Sequence, residues 1–243
     1  MTALPNIPEF PESGRIFQEN RKVRLGDCNQ AGRMRLDALL RFAQDLSDDD
    51  TTDAQLAADS NWVVRSVVVK CGKPGALGEA LDMRTACSGL GGRWAERRIE
   101  IRGQLGCEYD LVVMWICIDP VTHRPKRLSE DFLETFGLAA AGRKVKASRL
   151  LDLDHNIDET ATFLTRVSDF DVFGHMNNAA YGALIEQLTT GSLDGEFTAV
   201  IDFYGGVPVT DKVEISADSQ GDLKQLVFWH KMEQAAAAVV QKD

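Results

Sequence analysis

The chain carries the same pattern twice. Shifted by 142 residues, RLGDCNQAGRMRLDALLRFAQ (24–44) lies over RVSDFDVFGHMNNAAYGALIE (166–186). Arg24 falls on Arg166, Asp27 on Asp169, Gly32 on Gly174, Met34 on Met176 and Ala38 on Ala180. An internal repeat constrains a fold more than any single motif, because each copy must build the same supersecondary unit. Behind the glycine of each copy the apolar residues fall at helical spacing: Leu36, Leu39, Leu40 and Ala43 in the first, Tyr181, Leu184, Ile185 and Leu188 in the second.

The segments behind the two helices repeat as well. The first copy continues with the β-rich runs 62–71, 79–89, 93–103 and 110–119, separated by GKPGALG, GLGG and GCEY, whose Gly and Pro suit turns. The second continues with 197–206, 212–219, 223–232 and 236–242. Strand, helix, then about four strands, given twice, predicts an α+β fold of two tandem units. Each unit is a curved antiparallel sheet wrapped around a central helix, and pairing the units would bury both helices. The expected divisions are an N-terminal arm over 1–18, a first unit over 19–138, a linker over 139–160 with no sustained period, and a second unit over 161–243.

Composition narrows the function classes. A net charge of −10 speaks against nucleic acid, which calls for clustered cations on one face. No run approaches the roughly 18 apolar residues of a membrane helix, and the N-terminus has no signal-peptide pattern, so the expected setting is the cytoplasm. Five cysteines, with no C-x-x-C pair, read as buried free thiols, and neither a metal nor another cofactor is expected. Two basic stretches, 124–127 and 143–149, are either docking patches or solvated loops.

The copies differ at their polar positions. Asp171 stands opposite Asn29, His175 opposite Arg33, Asn177 opposite Arg35 and Asn178 opposite Leu36. The second copy therefore joins a carboxylate to an imidazole just ahead of a helix that Asn177 or Asn178 would cap. A carboxylate, an imidazole and free helix N-terminal N–H groups are the parts needed to activate water and to stabilise an oxyanion. The same residues also suit a structural reading, with turn aspartates, a hydrogen-bonding histidine and a plain helix cap. His123, His155 and His230 have no such company and read as structural or surface residues.

DFDVFGHMNNAAY (169–181) resembles the hotdog-fold thioesterases, in which Asp-x-x-Gly-His-x-Asn-Asn-x-x-Tyr opens the central helix. With AGRMRLDALLRFAQD, WVVRSVVVK, GRWAERRIEI and HRPKRLSEDF, nearly the whole chain resembles the acyl-acyl carrier protein (acyl-ACP) thioesterases, which hold two hotdog units in one chain. The resemblance implies hydrolysis of a fatty acyl thioester on acyl carrier protein, releasing free fatty acid in fatty acid biosynthesis. In plant members an Asp-x-Asn-x-His triplet is followed on a strand by Glu-Cys. The Asp and His match Asp171 and His175, whereas the Asn matches Phe173 and the Glu-Cys pair falls near Gly206 and Val207.

A reduced site is therefore expected. Asp171 would act as base or water-orienting carboxylate, His175 would assist, Asn177 would organise, and backbone N–H groups from Gly174 to Asn178 would form the oxyanion hole. Leu39, Leu40 and Phe42 of the first unit would line the acyl pocket or simply pack the core. Arg124, Lys126 and Arg127, or the 143–149 cluster, would dock the carrier. The rival readings are the same hydrolysis on acyl-CoA, a dehydratase or hydratase, and a silent acyl-thioester binder. The dehydratase motif Asp-x-Asn-Pro-x-His is not matched. Acyl chain length and the choice between monomer and homodimer stay open.

Overall fold

The computed structural model describes residues 4–56, 61–153, 160–210 and 212–242. The first unit comprises β1 (Ile16–Lys22), α1 (Leu36–Asp53), β2 (Asn61–Lys73), β3 (Ala80–Leu90), β4 (Trp94–Gly103) and β5 (Glu108–Ile118), followed by the short α2 (Glu130–Phe136). The second comprises β6 (Thr160–Leu164), α3 (Asn178–Leu188), β7 (Phe197–Phe203), β8 (Lys212–Gln220), β9 (Leu223–His230) and β10 (Glu233–Lys242). The strands form one ten-stranded sheet in the order β1-β3-β4-β5-β2-β7-β10-β9-β8-β6. Reading inward from either edge gives the same relative order, so the duplication seen in the sequence is a duplication of topology. Every named pairing is antiparallel.

The two halves meet where β2 pairs with β7, from Ser66 opposite Asp202 to Cys71 opposite Phe197. Strand alternation then sorts residues between two faces. On the helix side, Phe197, Ala199, Ile201 and Phe203 of β7 join Val67, Val69, Leu111 and Val113 in the main core. Into that face α1 presses the stripe Leu36, Leu39, Leu40, Ala43 and Leu46. From α3, Tyr181 packs edge-on against Phe203 and Phe228 at 5.4 and 5.1 Å. Each fully buried Leu or Phe contributes about 1.5–3 kcal/mol, so the helices are held by one shared core. This arrangement is the pair of tandem helix-on-sheet units expected from the repeat, and the double hotdog that the resemblance implies.

The opposite face carries Val68, Val112, Val200, Ala237 and Val239, and parts of the N-terminal arm and of the linker cover it. Leu4 and Ile7 of the N-terminal arm pack there, and Arg98 Nε donates to the Pro8 carbonyl at 2.9 Å. The arm also ends earlier than expected, since β1 begins at Ile16. The linker over 139–160 is likewise a packed strap as far as residue 153. Leu151 is buried in the same cluster, and Gln234 Nε2 donates to the Leu153 carbonyl at 3.1 Å. Both segments escape periodicity arguments because they bury isolated side chains and pair through backbone groups. The expected helix count also missed α2, which is short; Ser129 caps it and Phe132 and Phe136 anchor it beside Leu90 and Ala95.

Asp202 fastens the strap. Its Oδ2 accepts from Leu150 N at 2.7 Å and Leu151 N at 2.9 Å, while Oδ1 is buried without a partner. Burial raises the Asp202 pKa above the ordinary carboxylate value, against the opposing pull of the two N–H donors. A carboxyl whose folded-state pKa is raised binds its proton more tightly in the folded chain. Its contribution is therefore full below the ordinary carboxylate pKa and is lost as pH rises through the raised value. Asp202→Asn is expected to flatten that decline, seen as a smaller fall in urea midpoint between pH 4 and pH 8. Asp202→Ala strands two N–H groups and is expected to cost about 1–3 kcal/mol at any pH.

All five cysteines are free, and all but Cys28 are buried. Burial pushes the Cys87 thiol up to about 11 and the Cys107 thiol up to about 12, which keeps both protonated. Among the described residues no group of three or more His, Cys, Asp or Glu could hold a metal ion, and no helix is long and apolar enough to cross a membrane.

Candidate functional site

Each copy builds the same turn ahead of its helix. In the first, Asn29 N donates to the Arg33 carbonyl, Gly32 N to Asn29, Met34 N to Gly75 and Arg35 N to Asp27. In the second, Asp171 N donates to His175, Gly174 N to Asp171, Met176 N to Val207 and Asn177 N to Asp169. Gly32 and Gly174 take φ values of 77° and 71°, the left-handed region in which glycine carries no Cβ penalty. The shared Arg-x-x-Asp opens both turns, with Arg24 N and Arg166 N each donating to the Asp Oδ2 three residues on at 2.7 Å.

On this common frame the polar groups diverge. Asp171 Oδ1 accepts from Phe173 N at 3.0 Å, and Asp171 Oδ2 accepts from Asn177 Nδ2 at 3.3 Å. Asn177 is the N-cap of α3, its Oδ1 accepting from Ala179 N at 2.8 Å. Asp171 and Asn177 are thus joined through the cap. His175 is exposed, and no side-chain hydrogen bond links it to Asp171. Phe173, 55% exposed, sits on the outside of the turn, so its ring takes no part in the Asp171–Asn177 contact.

The expected set of oxyanion donors narrows. The N–H groups of Gly174, Met176 and Asn177 are committed to the carbonyls of Asp171, Val207 and Asp169. Among the described residues the backbone N–H groups of His175 and of Asn178, the latter first in α3, are left without such a partner. Gly174 therefore shapes the turn and donates nothing to a ligand.

The corresponding position of the first copy is filled. There Leu36 N donates to Glu186 Oε2 at 2.7 Å, a carboxylate that reaches across from α3. Arg33, standing where the second copy has His175, binds Glu186 Oε1 at 2.5 Å and Asp194 Oδ1 at 3.0 Å. A half-buried ion pair thus occupies the N-terminus of α1, while that of α3 stays open. The residue of α1 equivalent to Glu186 is Gln44, whose neutral side chain makes no such contact among the described residues.

Asn178 lines a pocket together with Leu40, Ala43 and Gln44 of α1, Val64 and Val67 of β2, Val113 and Trp115 of β5, and Phe203 of β7. The pocket draws its walls mostly from the first unit. Of the three first-unit residues named from the sequence, Leu40 is on the wall of this pocket. Leu39 is buried in the core, and Phe42 lies under the Arg21 guanidinium at 5.3 Å. Gln44 and Trp115 were missed, although the repeat pairs Gln44 with Glu186 and so marked it as a position of helix contact. Trp115 Nε1 is buried without a hydrogen-bond partner among the described residues.

Arg124 and Arg127 are exposed and Lys126 is half-buried, on the loop after β5 at the strand end that carries Trp115. The 143–149 stretch is tied down instead. Arg143 pairs with Glu96, Trp94 Nε1 donates to the Val145 carbonyl at 2.9 Å, and Arg149 stacks on Tyr204 at 4.2 Å. His123 is exposed in a left-handed turn, His230 is half-buried at the end of β9, and His155 lies outside the described residues.

Gly206 lies against the imidazole. A Cβ built there would come within 2.8 Å of His175 Cδ2 and 2.9 Å of Cγ, so a side chain at this position displaces the ring. Because His175 is exposed, the ring can move at small cost in stability. If its position serves catalysis, Gly206→Ala is expected to lower turnover by about 10–10²-fold, the scale of a 1 Å misplacement, with the melting temperature nearly unchanged. Full activity in Gly206→Ala would show that the imidazole has no role.

Comparison with known proteins agrees with this architecture along the chain. The acyl-ACP thioesterase N-terminal domain matches residues 14–136 and the acyl-ACP thioesterase C-terminal domain matches residues 149–242. An uncharacterized protein of Mycobacterium tuberculosis is 26% identical over 240 residues, covering 97% of this chain and 96% of that protein. An acyl-ACP thioesterase from Bacteroides thetaiotaomicron superposes with a TM-score of 0.79 at 14% identity, over 93% of this chain and 97% of that one. The 12:0-ACP thioesterase from Umbellularia californica gives 0.76 at 15%, over 96% and 98%. At those identities the two structures speak for the fold. The two family domains, in order and across both units, establish that this chain belongs to the acyl-ACP thioesterase family.

Proposed function

We propose that the protein hydrolyses fatty acyl thioesters of acyl carrier protein at the N-terminus of α3. The observation that carries this reading is the linked Asp171–Asn177 pair at the N-terminus of α3, where the Asn178 N–H has no hydrogen-bond partner among the described residues and Asn178 lines an apolar pocket. In this reading the pocket beside Asn178, which has a cavity volume of about 10 Å³, widens to take the acyl chain, and the thioester carbonyl oxygen meets the Asn178 N–H, at the positive end of the helix dipole. Asp171, oriented by Asn177, takes a proton from water as the oxygen attacks the carbonyl carbon. The C–O bond forms, the C–S bond breaks, and the proton passes to the departing thiolate, giving a carboxylic acid and a free thiol. His175, exposed beside the turn, hydrogen-bonds the water or the thioester. No metal or other cofactor is needed for these steps.

Family membership supports acyl carrier protein as the carrier, with fatty acid biosynthesis in the cytoplasm as the setting. Arg124, Lys126 and Arg127 supply local positive charge near the strand end that lines the pocket, which an acidic carrier requires on a chain of net charge −10. Thiol release from matched acyl-ACP and acyl-CoA panels tests the reading. Faster turnover on acyl-ACP is the expected result. Faster turnover on acyl-CoA would make CoA the carrier, and tight binding of both without thiol release would leave a silent acyl-thioester binder.

A further inference from the structure

Gln44 enters the site from the other unit. The repeat superposes it on Glu186, and Asn178 on Leu36. In the first copy the pair is in contact, with Glu186 Oε2 seated 2.7 Å from Leu36 N. In the second copy both partners line the same pocket, yet no hydrogen bond joins them, and the Gln44 amide has no hydrogen-bond partner among the described residues. By the repeat, the point beside the Asn178 N–H that corresponds to Glu186 Oε2 in the first copy is the one to which residue 44 is directed. The first copy fills that point with its own carboxylate.

We propose that Gln44 is a catalytic residue contributed by the first unit, its Nε2 donating to the thioester carbonyl oxygen held at Asn178 N–H. The inference rests on the hydrolytic reading of the α3 site and adds its second oxyanion donor. A neutral amide suits the role because it donates an N–H and carries no charge to oppose the developing oxyanion, whereas a carboxylate would repel it.

Two variants and two ligands test this. Gln44→Ala keeps a strong helix former at a half-buried position, so the fold should persist. Removal of an oxyanion donor should lower kcat by about 10²-fold with KM little changed. Gln44→Glu recreates the carboxylate plug of the first copy, and is expected to lose turnover at least as fully without a drop in melting temperature.

Binding is measured with an acyl-pantetheine analogue whose thioester sulfur is replaced by CH2, leaving a ketone, and with an alkyl thioether lacking the carbonyl. Gln44→Ala should weaken the ketone by about tenfold and the thioether by less than twofold. Equal effects on both analogues, or wild-type kcat in Gln44→Ala, overturn the proposal while leaving hydrolysis standing. A selective loss of ketone affinity in a protein that turns over no thioester would keep Gln44 as the carbonyl donor and remove the hydrolytic reading. Failure of the wild type to bind either analogue overturns both.

Discussion

Asp171→Asn is expected to reduce thiol release by about 10²–10⁴-fold, the usual contribution of a positioned general base, while the protein stays folded. The first copy explains why folding should survive. It carries Asn29 at the equivalent position, and Asn29 Oδ1 accepts from Ala31 N and Arg33 N at 3.0 Å each. The turn therefore accepts an amide in place of the carboxylate, with Oδ1 still receiving the Phe173 N–H and only the 3.3 Å contact from Asn177 Nδ2 lost. What an amide cannot do is take a proton from water. Unchanged kcat in Asp171→Asn would remove this residue from the mechanism. A parallel loss of activity and of melting temperature would instead make it a structural residue of the turn.

The largest effect on stability is expected at Asp50. This α1 carboxylate is fully buried, pairs with the buried Arg97 of β4, and accepts from Arg15 Nε at 2.6 Å. Arg97 also stacks on Phe136 of α2 at 4.9 Å, so one carboxylate ties together α1, β4, α2 and the chain entering β1. Asp50→Ala leaves a desolvated guanidinium without its counter-charge, which costs about 3–5 kcal/mol. For a chain of this size that is a fall of roughly 10 °C in melting temperature. Urea unfolding followed by tryptophan fluorescence checks it. A loss under about 1 kcal/mol, the scale of an exposed pair, would mean that water reaches Arg97 and that the cluster is not a closed one. Because the cluster lies apart from α3, the surviving folded fraction should keep its turnover.

The same contrast between the copies governs what could be read without coordinates. The repeat at 24–44 and 166–186 determined the tandem units, the two long helices and the run of four strands after each, because hydrophobic period and glycine-bearing turns are local properties of the chain. It also located the turn at Asp171–Asn178, since Asn177 caps a helix through contacts only two residues away.

The packed character of 4–15 and 139–153 was not legible. Those segments are held by Asp202, Arg98, Tyr204 and Gln234, partners that lie far along the chain and leave no period. The state of the two helix N-termini was equally hidden. Sequence shows Leu36 and Asn178 as the first helical residues of each copy, but only the packing of α1 against α3 puts Glu186 on one N–H and leaves the other without a partner among the described residues, in a residue that lines an apolar pocket with Gln44 and Trp115. Local order follows from neighbours along the chain, whereas an open or occupied site follows from which distant side chain arrives to satisfy a backbone donor.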